Sequence, residues 1–308
     1  MPDGATEVVT VVVDGRHLQI SNLDKVMYPA TETTKGEVLN YYVKVARFML
    51  AHLAGRPVTR IRWPHGTSGP SFFEKNLPAG APSWLHSVQV ATSGSRVQGG
   101  RATIRYPVVA DTADLAYLVN LASLELHVPQ WRFGADDLPR NPDRLVIDLD
   151  PGTPAGLHEC AVLALLVRER LQGLGLSAAP VTSGSKGMQL YAALPGEQDS
   201  DTIRDIARGI AQDLTSARPE LVVWKMTKSL RPGKVLLDWS QNVAAKTTIA
   251  PYSLRGRDAP LVAAPRTWAE IERGADKPGT LGQLDMDQVL ARVVSGGDVF
   301  ADALSPRT

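Results

Sequence analysis

The chain has 308 residues, of which 44% are hydrophobic and 21% are charged, and its formal net charge is +1. This composition is ordinary for a globular protein with a sizeable core. The sequence has no run of about 18 apolar residues, so no membrane span is expected. The first residues, MPDGATEVVT, lack the basic and apolar regions of a secretory signal. The single cysteine, Cys160, excludes an internal disulfide and a cysteine-cluster metal site, and a cytoplasmic protein is expected.

Positive charge is unevenly distributed along the chain. Residues 15–110 contain twelve Lys or Arg against four Asp or Glu, and residues 220–258 contain seven against three. A phosphate-binding groove needs such local concentrations of basic side chains. Two solvated surface faces would give the same distribution, so charge alone does not decide between the two interpretations.

The N-terminal segment predicts a β-hairpin followed by a helix. Residues 9–20 alternate loosely around the Asp14-Gly15 pair, which is a strong hairpin turn signal. The sequence Thr34-Lys-Gly-Glu37 fits a helix capping box. Apolar residues then recur at helical spacing until Gly55 ends the run.

The segment that follows is richer in turns. Residues 57–82 carry prolines, arginines and aromatic residues among turn signals, and residues 93–100 form a Gly- and Ser-rich loop that is predicted at the tip of a hairpin. A second helix is predicted at residues 113–124.

Beyond residue 140 the pattern changes to alternating strands and helices, which predicts an α/β or α+β core with a central sheet. Strands are predicted at residues 145–150, before Val181, at residues 188–194 and at residues 234–239. Helices are predicted at residues 156–174, at residues 201–217 and on the surface from Ala263 onward.

The most informative segment is the apolar strand that ends in Asp148-Leu-Asp150-Pro-Gly. Two aspartates two residues apart on a strand point to the same face, with Cα atoms roughly 6.6 Å apart. Their mutual repulsion is unfavourable unless a cation offsets it, and oxygen ligands of this kind suit Mg²⁺ or Mn²⁺. The alternative is a surface strand end with two solvated carboxylates.

A second short apolar strand ends in Asp238. Three carboxylates can hold two metal ions about 3.5–4 Å apart. One ion would activate an attacking 3′-hydroxyl, and the other would bind a triphosphate and stabilise the departing pyrophosphate. The sequence therefore predicts Asp148, Asp150 and Asp238 as the catalytic, metal-binding residues.

The segment Thr182-Ser-Gly-Ser-Lys-Gly187 lies between two predicted strands. Its small residues expose backbone N–H groups, Ser183 and Ser185 add hydroxyl donors, and Lys186 adds a charge, so it suits a triphosphate cradle. The GxxxxGK[ST] spacing of a P-loop is absent, and an ordinary glycine-rich turn is the alternative. Two further candidates for neutralising phosphate are Arg231 and Arg255.

Aromatic and basic residues of the N-terminal half are candidates for contact with a nucleic acid. Phe72 and Phe73 are adjacent in a polar, turn-rich segment, so one ring is free to stack on a template base; the alternative is one core ring and one partly covered ring. Lys25 and Lys35 could bind a terminal phosphate, helped by a helix N-terminus, although single lysines are usually solvated. His127 could contact a nucleotide phosphate, although a histidine between apolar residues is more often structural.

Together these segments resemble the polymerase domain of bacterial ligase D, a branch of the archaeo-eukaryotic primase superfamily, and most closely its actinobacterial members. The matching stretches are NLDKVMYP, TTKGEVLNYY, RPVTRIRWP, FFEKNLP, LELHVPQWRF, LVIDLDPG, VTSGSKG, TKSLRPGKVLLDWSQN, KTTIAPYSLRGR and AAPRTWAE. They run from about residue 20 to residue 270, and the order DLDPG, SGSKG, DWSQN is highly specific.

The resemblance implies a primase-like catalytic core with a central mixed or antiparallel, RRM-like sheet and a flanking N-terminal α/β region. Residues 1–308 would form a single primase-polymerase domain. Its DNA-binding region would lie at about 1–140, its metal- and nucleotide-binding core at about 141–260, and a helical surface segment at about 261–308.

The resemblance also assigns residues to ligands, with the three aspartates holding two Mn²⁺ or Mg²⁺ ions. The incoming nucleotide would be contacted by Ser183, Ser185, Lys186, Gln189, Arg231, Gln241, Arg255 and His127. DNA would be contacted by Asn22, Lys25, Lys35, Arg62, Phe72, Phe73 and Lys75. In this set Lys25 and Lys35 match a pocket for the 5′-phosphate at a gap, and the two phenylalanines match a template-stacking pair.

The implied activity is DNA-dependent nucleotide addition that fills short gaps in end joining or excision repair, with a preference for ribonucleotides over deoxynucleotides. The expected partners are gapped template-primer DNA bearing a 5′-phosphate, rNTPs or dNTPs, and a separate ATP-dependent DNA ligase, because a KxDG nucleotidyl-lysine motif is missing. A monomer with no membrane association is expected at the nucleoid. The alternatives are a two-metal nuclease and a catalytically weakened paralogue that binds DNA ends.

Two departures from the family pattern bear on these expectations. The family commonly continues SGSKG with Leu-His, where this chain has Met188-Gln189, and a glutamine side chain donates hydrogen bonds without carrying positive charge. The loop at residues 93–100 is longer than usual, which puts bridging of double-strand ends in doubt.

Overall fold

The computed structural model describes residues 8–92 and 102–300, so the loop expected at residues 93–100 lies outside the described residues. It divides into two compact units. The first comprises Met1–Val128 and Ser253–Pro260, and the second comprises Pro129–Tyr252 and Leu261–Thr308. The first unit therefore ends its main segment at Val128 and also includes the segment 253–260. Among the residues the structure describes, no helix is long and apolar enough to cross a membrane.

Within its described residues, the first unit contains short strands and two α-helices. Its strands are β1 (Val8–Val13), β2 (Arg16–Ser21), β3 (Val26–Tyr28), β4 (Thr33–Thr34), β5 (Thr59–Arg62), β6 (Phe72–Glu74), β7 (Ser87–Thr92), β8 (Ala102–Pro107) and β9 (Ser123–Val128). Its helices are α1 (Lys35–Leu53) and α2 (Thr112–Asn120), which pack against each other.

The predicted hairpin and the first helix are confirmed. Strands β1 and β2 pair antiparallel around Asp14 and Gly15, which have φ angles of 48° and 75°, as a two-residue hairpin turn requires. At the start of α1, Glu37 N donates to Thr34 Oγ1 at 3.2 Å, and Thr34 N donates to the Glu37 carboxylate at 2.7 Å. This reciprocal pair is the capping box, and the helix ends before Gly55, whose φ is 69°.

The prediction of a helix over residues 113–124 is wrong at its C-terminal end. Helix α2 stops at Asn120, and Ala122 takes a left-handed conformation with φ 63° before strand β9 begins. The alternating segment that follows pairs antiparallel with β5, so sheet pairing overrides the apolar helical spacing. The turn-rich segment 57–82 likewise contains two paired strands, β5 and β6, that the sequence did not predict.

The second unit is built on a mixed sheet, which confirms the predicted fold class. Its strands are β10 (Arg144–Pro151), β11 (Ala178–Thr182), β12 (Met188–Ala193), β13 (Val222–Val223), β14 (Val235–Asp238), β15 (Thr248–Ile249), β16 (Leu261–Val262), β17 (Ala264–Pro265) and β18 (Leu284–Asp285). Its helices are α3 (Leu157–Gly173), α4 (Ser200–Ala217), α5 (Trp268–Asp276) and α6 (Met286–Gly296). The predicted strand before Val181 in fact runs through it to Thr182, while the other predicted strands and helices lie within a few residues of their expected bounds.

Six described strands form the sheet in the order β13-β14-β10-β12-β11-β17, antiparallel except for the β13–β14 pair. Alternate residues of β10 point to opposite faces. Leu145, Ile147 and Leu149 enter the large core with residues of α3 and α4, where Cys160 is also buried and free. On the opposite face, Val146 joins a smaller cluster, and the two aspartates of β10 follow it along the strand.

Candidate active site

The three predicted metal ligands meet on one face of the sheet of the second unit. Asp148 on β10 is the Cα partner of Asp238 at the end of β14, and Asp150 follows two residues later on β10. Cross-strand partners share a face and have Cβ atoms about 4.5–5.5 Å apart, and alternate residues of one strand also share a face. The structure therefore brings together three side chains that are far apart in the sequence.

Asp238 and Asp150 contact neighbouring backbone and side-chain groups. Asp238 Oδ1 accepts from Ser240 N at 2.9 Å, and its Oδ2 accepts from Gln241 Nε2 at 2.8 Å. Arg231 Nη1 lies 3.4 Å from Asp150 Oδ2. Within residues 8–92 and 102–300, no group of three His, Cys, Asp or Glu side chains is arranged to hold a metal ion. Carboxylate oxygens are the donors that Mg²⁺ and Mn²⁺ prefer, so the chemistry of these three residues fits such ions although they do not form a coordination group within the described residues.

The turn after Asp238 is fixed by a buried asparagine. Asn242 Oδ1 accepts from Val146 N at 2.9 Å, and Asn242 Nδ2 donates to Val146 O at 2.7 Å. The amide thus replaces the backbone partner that β10 loses where β14 ends, because it offers the same donor and acceptor. Asn242 was not among the predicted site residues, and its only sequence signal is its place in the DWSQN motif.

The segment 183–187 is a tight loop packed on β10. Ser183 N donates to Gly187 O at 2.9 Å, and Ser185 N donates to Ser183 Oγ at 3.2 Å. A Cβ atom at Gly187 would lie 1.9 Å from Leu149 O, so only glycine allows the loop to approach the strand between its two aspartates. Lys186 is exposed in this loop.

A glutamine from the C-terminal part of the second unit closes this loop. Gln283 Oε1 accepts from Gly184 N at 2.7 Å, and Gln283 Nε2 donates to Gly187 O at 3.0 Å. The pair of bonds ties the two ends of the loop together. No sequence motif pointed to Gln283, which lies 99 residues after Gly184.

Gln189 occupies the position beside Asp148 on the other side of β10. It is buried, and Tyr191 donates its hydroxyl hydrogen to Gln189 Oε1 at 2.7 Å. The Tyr191 oxygen also lies 3.3 Å from Thr248 Oγ1. Because Oε1 is engaged, the side chain presents the amide Nε2, a neutral donor, to its remaining surroundings.

In the first unit, His127 and Arg255 converge on one buried carboxylate. Glu125 Oε2 lies 2.8 Å from His127 Nε2 and 3.3 Å from Arg255 Nη1. Burial by itself would raise the pKa of Glu125, but the hydrogen bond from His127 and the charge of Arg255 together hold that pKa below its usual range. Sequence reasoning missed Glu125, although its spacing of two residues from His127 on a strand places both on one face.

Asn22, Lys25 and Lys35 lie together at the start of α1. Lys25 N donates to Asn22 O at 3.1 Å, and Lys35 N donates to Lys25 O at 2.8 Å. Burial lowers the pKa of the Lys35 ammonium to about 8, and the neighbouring charge of Lys25 adds to this effect. The Lys35 ammonium donates to Ser21 O at 2.6 Å and to Asn120 Oδ1 at 2.7 Å, and the Lys25 ammonium donates to Pro64 O. The two positive groups are thus both held by polar groups of the first unit.

Phe72 and Phe73 on β6 are both exposed, at 48% and 59% of their surface. The interpretation that one ring fills the core is therefore wrong. Lys75 Nζ lies 5.8 Å from the centroid of the Phe73 ring. Beside that ring is an open depression of about 580 Å³ that Arg62 and Lys75 also line. Exposed aromatic rings among basic side chains are typical of surfaces that stack nucleic-acid bases.

Comparison with known proteins agrees with this architecture. The sequence profile of the family described as LigD, primase-polymerase domain, matches residues 34–300. The multifunctional non-homologous end joining protein LigD of Mycobacterium bovis is 48% identical over 290 residues, which cover 92% of this chain and 37% of that protein. The corresponding protein of Mycolicibacterium smegmatis is 49% identical over 292 residues, covering 94% of this chain and 36% of that protein. The chain thus spans little more than a third of the length of these relatives.

A solved structure described as the polymerase domain from Mycobacterium tuberculosis ligase D in complex with DNA matches with a TM-score of 0.86 at 48% identity. The match covers 93% of this chain and 97% of that one. The fold and the acidic face of the sheet thus define a primase-like polymerase domain of the nucleotidyltransferase class. The chain belongs to the LigD primase-polymerase domain family, which confirms the resemblance inferred from its motifs.

Proposed function

We propose that this chain adds nucleotides to a DNA 3′ end opposite a template and thereby fills short gaps during DNA repair. The observation that carries the proposal is the cross-strand pair Asp148–Asp238 beside Asp150, with the 183–187 loop packed on the same strand. Carboxylates next to backbone N–H groups and a lysine suit nucleotide transfer from a triphosphate. The DNA complex of the mycobacterial domain supports DNA as the second substrate.

We propose two Mn²⁺ or Mg²⁺ ions as the cofactors of this site. Such ions, when bound, supply activation of the attacking hydroxyl and neutralisation of the leaving pyrophosphate. The register of β10 and β14 keeps Asp148, Asp150 and Asp238 on one face. Arg231 lies 3.4 Å from Asp150, and its remaining N–H donors suit a phosphate oxygen.

The triphosphate is proposed to lie against the 183–187 loop. Ser183, Ser185 and Lys186 would donate to it, and Gln189 would add a neutral amide donor, which attracts phosphate less strongly than a charged group does. The other proposed nucleotide contacts are Arg231, Gln241, His127 and Arg255. Preference for ribonucleotides belongs to the same proposal and rests on the family resemblance.

The first unit is proposed to hold the DNA. Lys25 and Lys35 would bind the 5′-phosphate at the downstream side of the gap, and the exposed rings of Phe72 and Phe73 would stack on a template base, which contributes about 1–3 kcal/mol per base. The remaining proposed DNA contacts are Asn22, Arg62 and Lys75. Since a filled gap still contains a nick, we propose that an ATP-dependent DNA ligase completes the repair.

The test is primer extension across gaps of graded length, with and without a 5′-phosphate, comparing rNTPs with dNTPs. We expect products that lengthen only when a divalent metal is present, and fastest where the gap carries the phosphate. Shortened products would instead support the nuclease interpretation. Unchanged DNA length together with retained DNA binding would support a catalytically weakened end-binding paralogue.

Replacing Lys25 by alanine should weaken binding to gaps bearing a 5′-phosphate about tenfold, because a charge-assisted hydrogen bond to phosphate contributes about 1.5–3 kcal/mol. Binding to gaps without the phosphate should change little. Fluorescence anisotropy with both substrates measures the difference. Lys44→Ala, on the exposed side of α1, is the matched control. Equal loss of affinity for both substrates would show that Lys25 does not recognise the phosphate.

The lowered pKa of Lys35 predicts a pH-dependent preference for the phosphate. As the pH rises from 7 to 9 it passes the Lys35 pKa of about 8, so the ammonium loses its charge, while a phosphate with a second pKa of about 6 stays doubly ionised. The ratio of affinities for phosphorylated and unphosphorylated gaps should therefore fall over this interval. A ratio that stays constant from pH 7 to 9 would contradict a role for Lys35 in phosphate binding.

A further inference from the structure

Glu125 has no part in the function proposed above, yet its carboxylate contacts two of the proposed nucleotide-binding residues. It is only 4% exposed. Its Oε2 lies 2.8 Å from His127 Nε2 and 3.3 Å from Arg255 Nη1. Its Oε1 accepts from Gly256 N at 3.0 Å. Both oxygens of a buried acid are thus directed at a histidine, an arginine and the backbone that follows the arginine.

The contact with Glu125 fixes which nitrogen of His127 carries a proton. The pKa of Glu125 is below its usual range despite the opposing effect of burial, so the carboxylate is ionised and only accepts hydrogen bonds. A ring nitrogen 2.8 Å from such an oxygen must be the donor, which places a hydrogen on Nε2. Among the residues the structure describes, Glu125 is the hydrogen-bond partner of the His127 ring, so Nδ1 remains for a ligand. There it accepts a hydrogen bond from a nucleotide hydroxyl when the ring is neutral, and it donates to a phosphate oxygen only when the ring carries both hydrogens.

The same carboxylate orients Arg255 and its backbone. The ion pair engages Nη1 of the guanidinium. The guanidinium has five N–H donors in all, so further N–H groups are left for a phosphate. Gly256 packs so closely that a Cβ atom there would lie 2.2 Å from the Trp63 ring. The bond from Gly256 N to Glu125 therefore fastens an already confined turn to strand β9.

We propose that Glu125 is a positioning residue of the nucleotide site, which holds His127 in its Nε2-protonated form and sets the guanidinium of Arg255 so that both act on the same nucleotide. This inference rests on the proposed function, in which His127 and Arg255 contact the incoming nucleotide. The hydrogen bond that one ring nitrogen makes, often to a carboxylate, sets which nitrogen of a histidine carries the hydrogen. The buried carboxylate of Glu125 contacts both His127 and Arg255, so the positions of these two side chains depend on each other.

The test is Glu125→Gln, which preserves the shape of the side chain. The amide nitrogen cannot accept from His127 Nε2, and the amide oxygen alone cannot replace the ion pair with Arg255. We expect the KM for the nucleotide to rise about tenfold or more, with an unchanged Kd for gapped DNA. The ¹⁵N chemical shifts of the His127 imidazole should report a hydrogen on Nε2 in the unaltered protein and a changed pattern in the variant.

The matched control is Asp114→Asn, which removes another buried carboxylate of the first unit, one that pairs with Arg16 at 2.9 Å. It should lower thermal stability but leave the KM and the His127 spectrum unchanged. In a His127→Ala background, Glu125→Gln should raise the KM for the nucleotide by a clearly smaller factor than in the unaltered protein, because residues that act through each other have non-additive effects. Fully additive effects would overturn the inference.

Two further outcomes separate this inference from the proposed function. If the unaltered protein does not extend primers, the proposed function fails, while the imidazole spectrum still tests the Glu125–His127 pair. If it extends primers and Glu125→Gln leaves both the KM and the spectrum unchanged, Glu125 is not a positioning residue.

Should Glu125→Gln not fold, Glu125→Asp provides a second variant that retains the charge on a shorter side chain. We expect it to raise the KM for the nucleotide at an unchanged melting temperature. An unchanged KM would again overturn the inference.

Discussion

Changing Asp150 to alanine is expected to reduce nucleotide addition by about 10³-fold or more, a loss of the size seen when a key electrostatic group is removed from an active site. Asp150 shares a sheet face with Asp148 and Asp238, and two carboxylates cannot replace the charge of three around the proposed pair of divalent ions. Folding should be little affected. The ion pair with Arg231 is partly exposed, such pairs contribute about 0–1 kcal/mol, and the change also removes like-charge repulsion.

Primer extension under single-turnover conditions measures this loss, and anisotropy with gapped DNA shows whether binding is retained. Asp213→Ala is the matched control, because Asp213 is an exposed aspartate on α4 of the same unit. It should extend primers at the unaltered rate. Equal activity of Asp150→Ala and the unaltered protein would refute the assignment of Asp150 as a metal ligand.

Changing Gly187 to alanine is expected to impair both folding and nucleotide binding. The added Cβ atom would lie 1.9 Å from Leu149 O, and overpacking of this kind costs about 1–3 kcal/mol. The obstructing atom belongs to the backbone of β10. The clash can therefore be removed only if the loop moves, or if the strand that carries Asp148 and Asp150 moves. We therefore expect a lowered melting temperature and a KM for the nucleotide raised about tenfold or more, since tenfold corresponds to about 1.4 kcal/mol.

The control for this change is Gly209→Ala in the interior of α4, where the added Cβ meets no atom within 4 Å beyond its chain neighbours and the backbone of its own helix. There alanine should stabilise the protein by about 0.5–1 kcal/mol, because it reduces the entropy of the unfolded chain. Urea unfolding and nucleotide titration of both variants check the pair of expectations. A Gly187→Ala protein with the stability and KM of the unaltered chain would show that the loop is not packed as described.

The features that could be predicted from the sequence depend on neighbours in the chain. The Asp14-Gly15 turn, the Thr34 capping box and the Asp148-Leu-Asp150 strand were all recognisable, because turn conformations, capping bonds and side-chain alternation act over a few residues. Asp238 was predicted from the short apolar strand that ends in it, and the family motifs gave the same assignment. The central mixed sheet predicted from these segments is present.

Other features could not be predicted because their partners are distant in sequence. The helix predicted over residues 113–124 ends at Asn120, and Ser123 and Leu124 belong instead to β9, which pairs with the distant strand β5. The hydrogen bonds of Gln283 to the 183–187 loop and of Asn242 to β10 each join residues more than 90 positions apart. Glu125 was missed for a related reason, because Arg255 joins it only through the return of segment 253–260 to the first unit.

From its residues alone this chain specifies a hairpin, a capped helix, a strand ending in two aspartates and a glycine-rich loop, because each follows from contacts within a few positions. The folded chain adds the register that sets Asp148 opposite Asp238. That choice depends on burying the apolar face of β10 against α3 and α4, and a shift of one residue would turn every side chain to the other face. Packing of the whole sheet therefore decides where the carboxylates meet.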